Sequence, residues 1–428
     1  MARGLERRPR FNIALGTFAL WIFTAIIWSY LDPLGLDAAL MAYSQQIVDR
    51  VTAPFYDSPG QDRIAVVLID DSTLEEWKVG WPPPYDRYTT LLYRVLRQKP
   101  KAVFMDIMLE RLRPRDEDSF KRAHATLTRM KLDIPVILAR SGPDAPNLFA
   151  DVPGVDTAVV SWRTPEYPLW DARADAPTPA PQLYRHLCGD TRDRALGCYK
   201  GVDPARGQPM AVQWGCAVSA TMRDQGLLPE GAFFVAPNWG ERLLRACGLL
   251  WRSLLVGLDR DSMEKARERL PYAVTVRAQD LDKVRGLLTD RAVLIGTALT
   301  GSNDLVQTPV NGQLPGVYYH AMALDNLTNY GPRYFTNPPQ NILLFLSITV
   351  LMSALSAAMY VHHGRLGLRY LCLSWVLILC LMIGSYGLFK LAPPNWLGYW
   401  LLATLAAKLQ SPCLTASDIR KCIGDAHA

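Results

Sequence analysis

The chain has 428 residues, of which 50% are hydrophobic and 20% charged, and its formal net charge is +6 at pH 7. This length is enough for one large domain or two ordinary ones. A basic total is typical of nucleic-acid or membrane contact, but here the arginines cluster at the N-terminus beside an apolar run, which favours membrane topology. Because the basic residues form no stripe, we exclude nucleic acid as a partner.

The first apolar segment, residues 11–31, contains no charged residue and has the length of about 20 residues with which a helix crosses a bilayer. Arginines within residues 1–10 place the N-terminus in the cytoplasm. A cleaved signal peptide is the alternative interpretation. We favour an uncleaved anchor because no convincing small-residue cleavage site follows, and both interpretations export the middle of the chain.

Apolar segments in the last third of the chain predict three more membrane helices, at residues 341–361, 370–389 and 394–409. Basic residues between the first two of these helices and after the last one place those segments in the cytoplasm. We therefore expect an exported domain of residues 32–340 and a short cytoplasmic tail of residues 410–428.

Small residues repeat at helical spacing on the second predicted membrane helix, where Ser353 pairs with Ala357 and Ala354 with Ala358. Such spacing lets helices approach closely, either within one bundle or in a homo-oligomer. We favour packing within the subunit's own bundle and keep a dimer interface as the alternative. The predicted membrane helices carry no internal Asp or Glu, which argues against an ion-transport subunit.

The exported domain begins with a short amphipathic helix, Ala38–Val51, followed by the continuous apolar run IAVVLI, which predicts a strand buried on both faces. Tyr85–Arg97 has the apolar spacing of a helix. The run KAVFMDIML predicts a second buried strand. A strand, a helix and a strand of these lengths predict a parallel pair with a right-handed crossover.

Further elements follow the same reasoning. We expect a helix at Asp116–Met130, a strand at Pro135–Ala139, an irregular insertion at about 141–290, a strand at Arg291–Leu299 and a helix at Tyr318–Asn329. Within the insertion we expect helices at Ala211–Arg223, Trp239–Asp259, Ser262–Arg269 and Asp280–Leu287. The fold class is therefore an α/β mixed-sheet domain, in which the first and last thirds are adjacent, joined to an α-helical membrane region.

Four of the eight cysteines lie in the exported domain, where an oxidising compartment favours disulfides. Four cysteines allow three connectivities. We favour Cys188–Cys198, which closes a short polar loop, and this choice leaves Cys216–Cys247 to join two predicted helices. A zinc site is disfavoured, because no Cys-x-x-Cys occurs and no histidine lies at ligand spacing.

Polar residues gather where strands end and helices begin, and open α/β sheets bind ligands beyond the carboxyl ends of their strands. The candidate ligand-binding residues are Asp70, Asp71, Trp81, Arg87, Asp106, Asp304, Thr308 and His320. Clustered carboxylates with an arginine are suited to a cation, an amine or a polar solute.

A purely structural interpretation of these residues stays open beside the ligand-binding one. Aspartates that follow strands often cap helices and turns. Arg87 is placed to neutralise Asp71 or Asp106 in a buried pair, His320 has the pattern of a core histidine, and Trp81 with its prolines that of a rigid loop. Sequence motifs of hydrolases, nucleotide-binding enzymes and zinc proteases are absent, so we expect no catalytic residue, cofactor or metal.

Two parts of the chain, Ile64–Leu138 and Arg291–Tyr330, together resemble the type-2 CHASE family of extracellular sensory domains associated with bacterial cyclases and histidine kinases. The motifs that carry the resemblance, in chain order, are Asp70-Asp71, Trp81-Pro82 with Arg87, KAVFMDIML with Asp106, Asp116 and Phe120, and RAVLIGTAL with Asp304, Thr308-Pro309, Pro315-Gly316 and His320-Ala321. One membrane helix before the domain and three after it also resemble the family's layout.

The resemblance implies a sensory or receptor module of a bacterial inner membrane, with its large domain in the periplasm. Family members often continue into a cytoplasmic enzyme, whereas about 20 residues follow the last predicted span here, too few for a catalytic domain. We therefore expect a separate protein partner, either a cytoplasmic signalling enzyme or an envelope protein. The alternative is a structural scaffold of an envelope complex. The Trp81–Arg87 loop distinguishes the two: open and ligand-lined in a receptor, buried and clasping in a scaffold.

Overall fold

The computed structural model describes residues 36–56, 60–160, 166–189, 198–199, 208–216, 219, 221–222, 238–255, 273–301, 304–310, 312–337, 376–377, 380, 383–388 and 390–392. They fall in two units, Asp49–Thr336 on the one hand and Met1–Val48 with Asn337–Ala428 on the other. The membrane helices predicted at 11–31, 341–361 and 394–409, and most of that at 370–389, lie outside the described residues. Among the helices that are described, none combines the length and the apolar character needed to cross a bilayer.

The unit Asp49–Thr336 contains the strands β1 (Ile64–Asp70), β2 (Ala102–Met105), β3 (Val136–Arg140), β4 (Val155–Val159), β5 (Glu166–Tyr167), β6 (Trp170–Asp171), β7 (Ala176–Pro177), β8 (Met210–Ala211), β9 (Val274–Arg277), β10 (Ala292–Ala298), β11 (Leu305–Thr308) and β12 (Gly312–Pro315). Six of these strands form one sheet in the order β4-β3-β2-β10-β1-β9. All pairings in that sheet are parallel, and the described antiparallel ladders belong to the two-stranded ribbons β5–β8, β6–β7 and β11–β12. The α/β class is therefore confirmed.

The first and last thirds of the chain meet in the middle of the sheet, as predicted. Strand β10 lies between β1 and β2, with Ala292 paired to Ile64 on one side and to Ala102 on the other. The expectation that β1 and β2 form a direct pair was therefore wrong. A buried strand from the distant end of the chain occupies the position between them, which local spacing along the sequence does not reveal.

The described α-helices are α1 (Leu36–Thr52), α2 (Asp71–Trp77), α3 (Tyr85–Leu96), α4 (Glu117–Arg129), α5 (Pro179–Cys188), α6 (Trp239–Leu255) and α7 (Val317–Tyr330). Alternate strand residues build a core on each face of the sheet. Val66 and Phe104 pack with α5 and α7 on one face, while Val67 and Met105 pack with α3 and α4 on the other. Because both faces are covered, the strands are continuous apolar runs.

Helix α7 is buried along most of its length, and every residue from Val317 to Thr328 is buried. Its polar side chains are tolerated because they are bonded. The Asn326 NH2 group lies within hydrogen-bonding distance of three acceptors that share its two N–H donors, the carbonyls of Gln213 at 2.8 Å and Met322 at 2.8 Å and the Tyr56 hydroxyl at 3.1 Å, and its oxygen accepts from the Gln213 amide at 2.9 Å.

The helices predicted within the insertion at about 141–290 are confirmed only in part. Helix α6 lies within the predicted Trp239–Asp259, whereas Ser262–Arg269 lies outside the described residues. The helix expected at Ala211–Arg223 is wrong at its start, where β8 is followed by a non-helical segment up to residue 216. The segment expected at Asp280–Leu287 is a short 3-10 helix, Ala278–Asp282, because its few apolar side chains fill one turn against the sheet.

One of the two expected disulfides is present. Cys188 and Cys198 are bonded, with an S–S distance of 2.05 Å and their Cα atoms 5.5 Å apart. The expected Cys216–Cys247 bond is wrong, because both thiols are free. Cys216 lies in the non-helical segment after β8 and Cys247 is exposed on α6, so Cys216 is not on the helix from which this bond was expected to start.

Candidate functional site

A cleft of about 660 Å³ opens beyond the carboxyl ends of β2 and β10, where parallel sheets commonly bind ligands. It lies on the α3 side of the sheet and continues along the chain that follows β2. Its lining residues are Trp81, Pro82, Tyr85, Tyr88, Asp106, Ile107, Met108, Leu109, Glu110, Arg111, Arg113, Thr297 and Asp304. Three of the sequence-predicted residues, Trp81, Asp106 and Asp304, are therefore brought to one place.

Aromatic rings form one side of the cleft. Tyr85 and Tyr88 come from the first turn of α3 and are almost fully buried, whereas Trp81 in the preceding loop is 45% exposed. Arg113 holds this loop by donating to the carbonyls of Pro82 at 2.9 Å and Pro83 at 2.7 Å. The loop is thus fixed at its prolines while the indole of Trp81 stays open to the cleft.

Asp106, the first residue after β2, is the most deeply placed carboxylate of the cleft. Its amide donates to the Ile295 carbonyl at 2.8 Å, which continues the ladder between β2 and β10. Within the described residues its carboxylate accepts no hydrogen bond, and 13% of its side chain is exposed. Burial, together with the negative charge of Asp304, raises the pKa of Asp106 to about 7.

A buried histidine lies behind Asp106 on the opposite side from the cleft. His320 Nε2 is 3.6 Å from Asp106 Oδ2, and His320 Nδ1 is 2.9 Å from the Tyr167 hydroxyl. That hydroxyl also accepts from the Ala180 amide at 3.1 Å. Burial lowers the pKa of His320 to about 3, so the imidazole is neutral at physiological pH. It packs behind Asp106 in the core, beyond hydrogen-bonding distance of the carboxylate, and does not itself line the cleft.

Asp304 lies at the rim of the cleft, just before the β11–β12 ribbon. Its carbonyl accepts from the Gly316 amide at 3.0 Å. A Cβ on Gly316 would overlap the Asp304 carboxylate, so the Pro315-Gly316 step is explained by this close approach. Partial desolvation against the ribbon raises the pKa of Asp304.

The two aspartates after β1 have structural partners away from the cleft. Asp70 is the N-cap of α2, and its Oδ1 accepts from Ser72 Oγ at 2.8 Å and from the amide and hydroxyl of Thr73 at 2.8 and 2.7 Å. Asp71 accepts from the Thr300 amide at 3.0 Å and hydroxyl at 2.6 Å, and these hydrogen bonds lower its pKa. They tie the ends of β1 and β10 together.

The remaining two candidates also lie outside the cleft lining. The Arg87 side chain is exposed and donates to the Trp77 carbonyl at 3.4 Å, so the proposed buried pair with Asp71 or Asp106 does not form. The hydroxyl of Thr308 donates to the Gly312 carbonyl at 2.9 Å and closes the β11–β12 ribbon.

Sequence reasoning did not identify Tyr85, Tyr88, Arg113 and Thr297 as members of the site. The tyrosines read as core positions of α3, which they also are. Thr297 lies on the same face of β10 as Ile295, and a polar residue at the end of an apolar strand is the signal that marks it. Arg113 follows no regular element, so no local pattern marks it.

Comparison with protein-family models gives one match, to the CHASE2 domain, over residues 17–357. The chain therefore belongs to the CHASE2 domain family, a family of extracellular sensory domains. Comparison with curated proteins gives no match, and comparison with solved structures gives none either.

Proposed function

We propose that this CHASE2 family member is a non-enzymatic sensory module of a bacterial inner membrane, which binds a small solute in its periplasmic domain and relays the bound state to a separate protein. The observation that carries the proposal is the open cleft in which Trp81, Asp106 and Asp304 converge. Its volume of about 660 Å³ is in the range of small-molecule sites.

The state of the Trp81–Arg87 loop supports a receptor. The sequence predicts an open, ligand-lined loop for a receptor and a buried one for a scaffold. Arg113 clasps the prolines, yet 45% of Trp81 is exposed and its indole lines the cleft. An exposed tryptophan on a fixed loop offers a preorganised contact, which reduces the entropic cost of binding.

The chain provides a route from the cleft toward the predicted membrane helices. Thr297 of β10 and Asp304 both line the cleft, and the chain continues from them through the β11–β12 ribbon into α7. The packing of α7 is close, because Gly296 leaves no room for a Cβ beside Val317. A ligand that displaces Asp304 at the rim of the cleft therefore acts on α7. From α7 the chain continues through Thr336 to the membrane helix predicted at 341–361.

The proposal is tested by purifying the full chain from native membranes, identifying copurifying proteins by mass spectrometry and measuring the partner's activity in those membranes. We expect a cytoplasmic signalling enzyme whose activity changes in Trp81→Ala and Asp106→Asn. The control is Asp151→Asn, a carboxylate 72% exposed that pairs with His124 outside the cleft. Wild-type partner activity in both cleft variants, with the domain folded, would contradict the proposal.

A scaffold subunit is the second candidate, and one observation favours it. Helix α6 exposes large apolar side chains on one side, Trp239 at 75%, Leu244 at 74% and Trp251 at 67%. Apolar surface of this extent is typical of protein contacts. Copurification distinguishes the two candidates, since a stoichiometric periplasmic partner favours the scaffold and a cytoplasmic enzyme favours the receptor.

A further inference from the structure

We propose that the solute bound in the cleft is a small organic amine in its ammonium form, with its charge between Asp106 and Asp304 and its carbon body against Trp81, Tyr85 and Tyr88. The inference rests on the proposed function, because it names the ligand class of the same site. It is carried by the hydrogen-bonding state, the charge and the shape of the side chains that line the cleft.

The floor of the cleft offers acceptors that are not engaged elsewhere in the described structure. The Asp106 carboxylate accepts no hydrogen bond from a described residue. Thr297 is 7% exposed, and its hydroxyl makes no hydrogen bond with another described residue although it lines the cleft. Both groups line the open cleft, where their oxygens can accept the donors of a ligand. A primary ammonium group has three donors and no acceptor.

The aromatic side of the cleft favours an organic cation over a bare ion. The face of Trp81, which is 45% exposed, attracts cations and covers the carbon body of a ligand, whereas Tyr85 and Tyr88 are 2% exposed and the Tyr85 ring already lies under the Arg113 guanidinium. A metal ion requires several ligating side chains close together. Among the described residues no group of three His, Cys, Asp or Glu side chains is arranged to hold one.

The two arginines that line the cleft do not change its preference for a cationic ligand. Arg113 forms an ion pair with Asp116 at 2.9 Å, while its two terminal nitrogens donate to the proline carbonyls and its guanidinium covers the Tyr85 ring at 4.4 Å. Its charge is therefore already balanced. Arg111 is exposed to solvent, where salt screens it. The deeply placed charge that a ligand meets is that of Asp106.

Binding of an ammonium ligand should be linked to the release of a proton, and the resulting pH dependence of the affinity distinguishes it from binding of a neutral ligand. Asp106 faces Asp304 across the cleft lining, and neutral His320 of α7 lies behind it, in contact with Tyr167 of β5. Its pKa of about 7 means that part of the population is protonated at neutral pH. A bound ammonium group stabilises the carboxylate, so binding releases a proton and the affinity rises as the pH is raised from about 6 to 8.

The test is calorimetric titration of the full chain in lipid nanodiscs with phenethylamine and with 2-phenylethanol, which replaces the ammonium group by a hydroxyl. We expect the amine to bind at least about tenfold more tightly, and to bind more tightly at pH 8 than at pH 6. Asp106→Asn and Asp304→Asn should each weaken amine binding about tenfold. Asp151→Asn, outside the cleft, should leave it unchanged.

Equal affinity for the two probes overturns the inference, as does amine binding no tighter than about 1 mM or unaffected by both cleft variants. These outcomes are separable from failure of the proposed function. If 2-phenylethanol or the anion phenylacetate binds in a Trp81-dependent manner, the cleft is sensory but its ligand is not an amine. If no probe binds and the cleft variants leave the partner's activity unchanged, both proposals fail.

Discussion

The cleft and helix α7 lie on opposite faces of the same sheet, and their polar side chains differ in how far they are hydrogen-bonded within the protein. Along α7 the buried amide of Asn326 has four hydrogen-bond partners. In the cleft the carboxylate of Asp106 and the hydroxyl of Thr297 have none from the described residues. The α7 face stabilises the fold, whereas the cleft retains polar groups that a ligand can satisfy. Substitutions should therefore separate the two regions: those around α7 change stability, and those in the cleft change the response to ligand.

The largest loss of stability is expected for Asn326→Ala. Removal of the amide leaves the buried carbonyl and amide of Gln213 without their side-chain partner. Unsatisfied buried groups cost about 1–3 kcal/mol each, so the free energy of unfolding should fall by about 4 kcal/mol. Urea unfolding of the full chain measures it. Asn147→Ala, which removes a part-buried loop amide, is the control, with an expected loss near 1 kcal/mol.

Asp106→Asn should increase the free energy of unfolding, and only at high pH. The folded pKa of about 7 lies above that of an unfolded aspartate, so the protonated side chain stabilises the fold at acidic pH and this contribution is lost as the pH rises through about 7. Asparagine does not ionise. Without ligand, the variant should match the wild type near pH 4 and exceed its stability by about 4 kcal/mol at pH 8.

A pH series of unfolding free energies for both proteins measures the effect. His320, whose lowered pKa has the reverse consequence, is present in both and cancels in the difference. A difference that does not vary with pH would show that Asp106 is already ionised in the unliganded cleft.

Gly296→Ala tests the close contact between β10 and α7. A Cβ at this position would lie 2.5 Å from the Val317 Cβ, and both groups are in the core. Overpacking of this kind costs about 2 kcal/mol. The double variant with Val317→Gly, which removes the facing Cβ, should cost less than the sum of the two single changes, by about 1 kcal/mol. Additive losses in thermal unfolding would contradict the contact.

Asp70→Ala removes the N-cap of α2, a structural role despite its place at a strand end. Loss of an N-cap side chain costs about 1 kcal/mol. Asp70→Asn retains a capping acceptor and should cost less than about 0.5 kcal/mol. Ligand affinity should be unchanged in both variants, because Asp70 does not line the cleft. An altered ligand affinity with unaltered stability would show that Asp70 contributes to ligand binding and not to the stability of the fold.

Of these variants, Trp81→Ala should change the free energy of unfolding least and should have the clearest effect on the partner's response to ligand. Its side chain is 45% exposed, so the free energy of unfolding should change by less than about 0.5 kcal/mol. The partner's response to ligand should be lost. Tyr93→Ala is the matched control, since this aromatic side chain is 48% exposed and lies outside the cleft lining.

Much of the framework could be predicted from the sequence. The strands β1, β3 and β10 and the helices α3, α4 and α7 lie within one or two residues of their predicted bounds, because uninterrupted apolar runs and helical spacing are local signals. The insertion was predicted less well, since its ribbons are two residues long and have no periodicity. The Cys188–Cys198 bond followed from a short loop, whereas the other pairing placed Cys216 on a helix and the structure places it in a non-helical segment.

The sequence by itself determined the family, the α/β class and three residues of the site, Trp81, Asp106 and Asp304. Only the tertiary structure decided how those residues divide. Asp70 and Asp106 both follow buried strands, yet the first accepts three hydrogen bonds from its own helix and the second accepts none from the described residues. The physical reason is that β10, from the far end of the chain, lies between their strands and brings Thr297 and Asp304 beside Asp106.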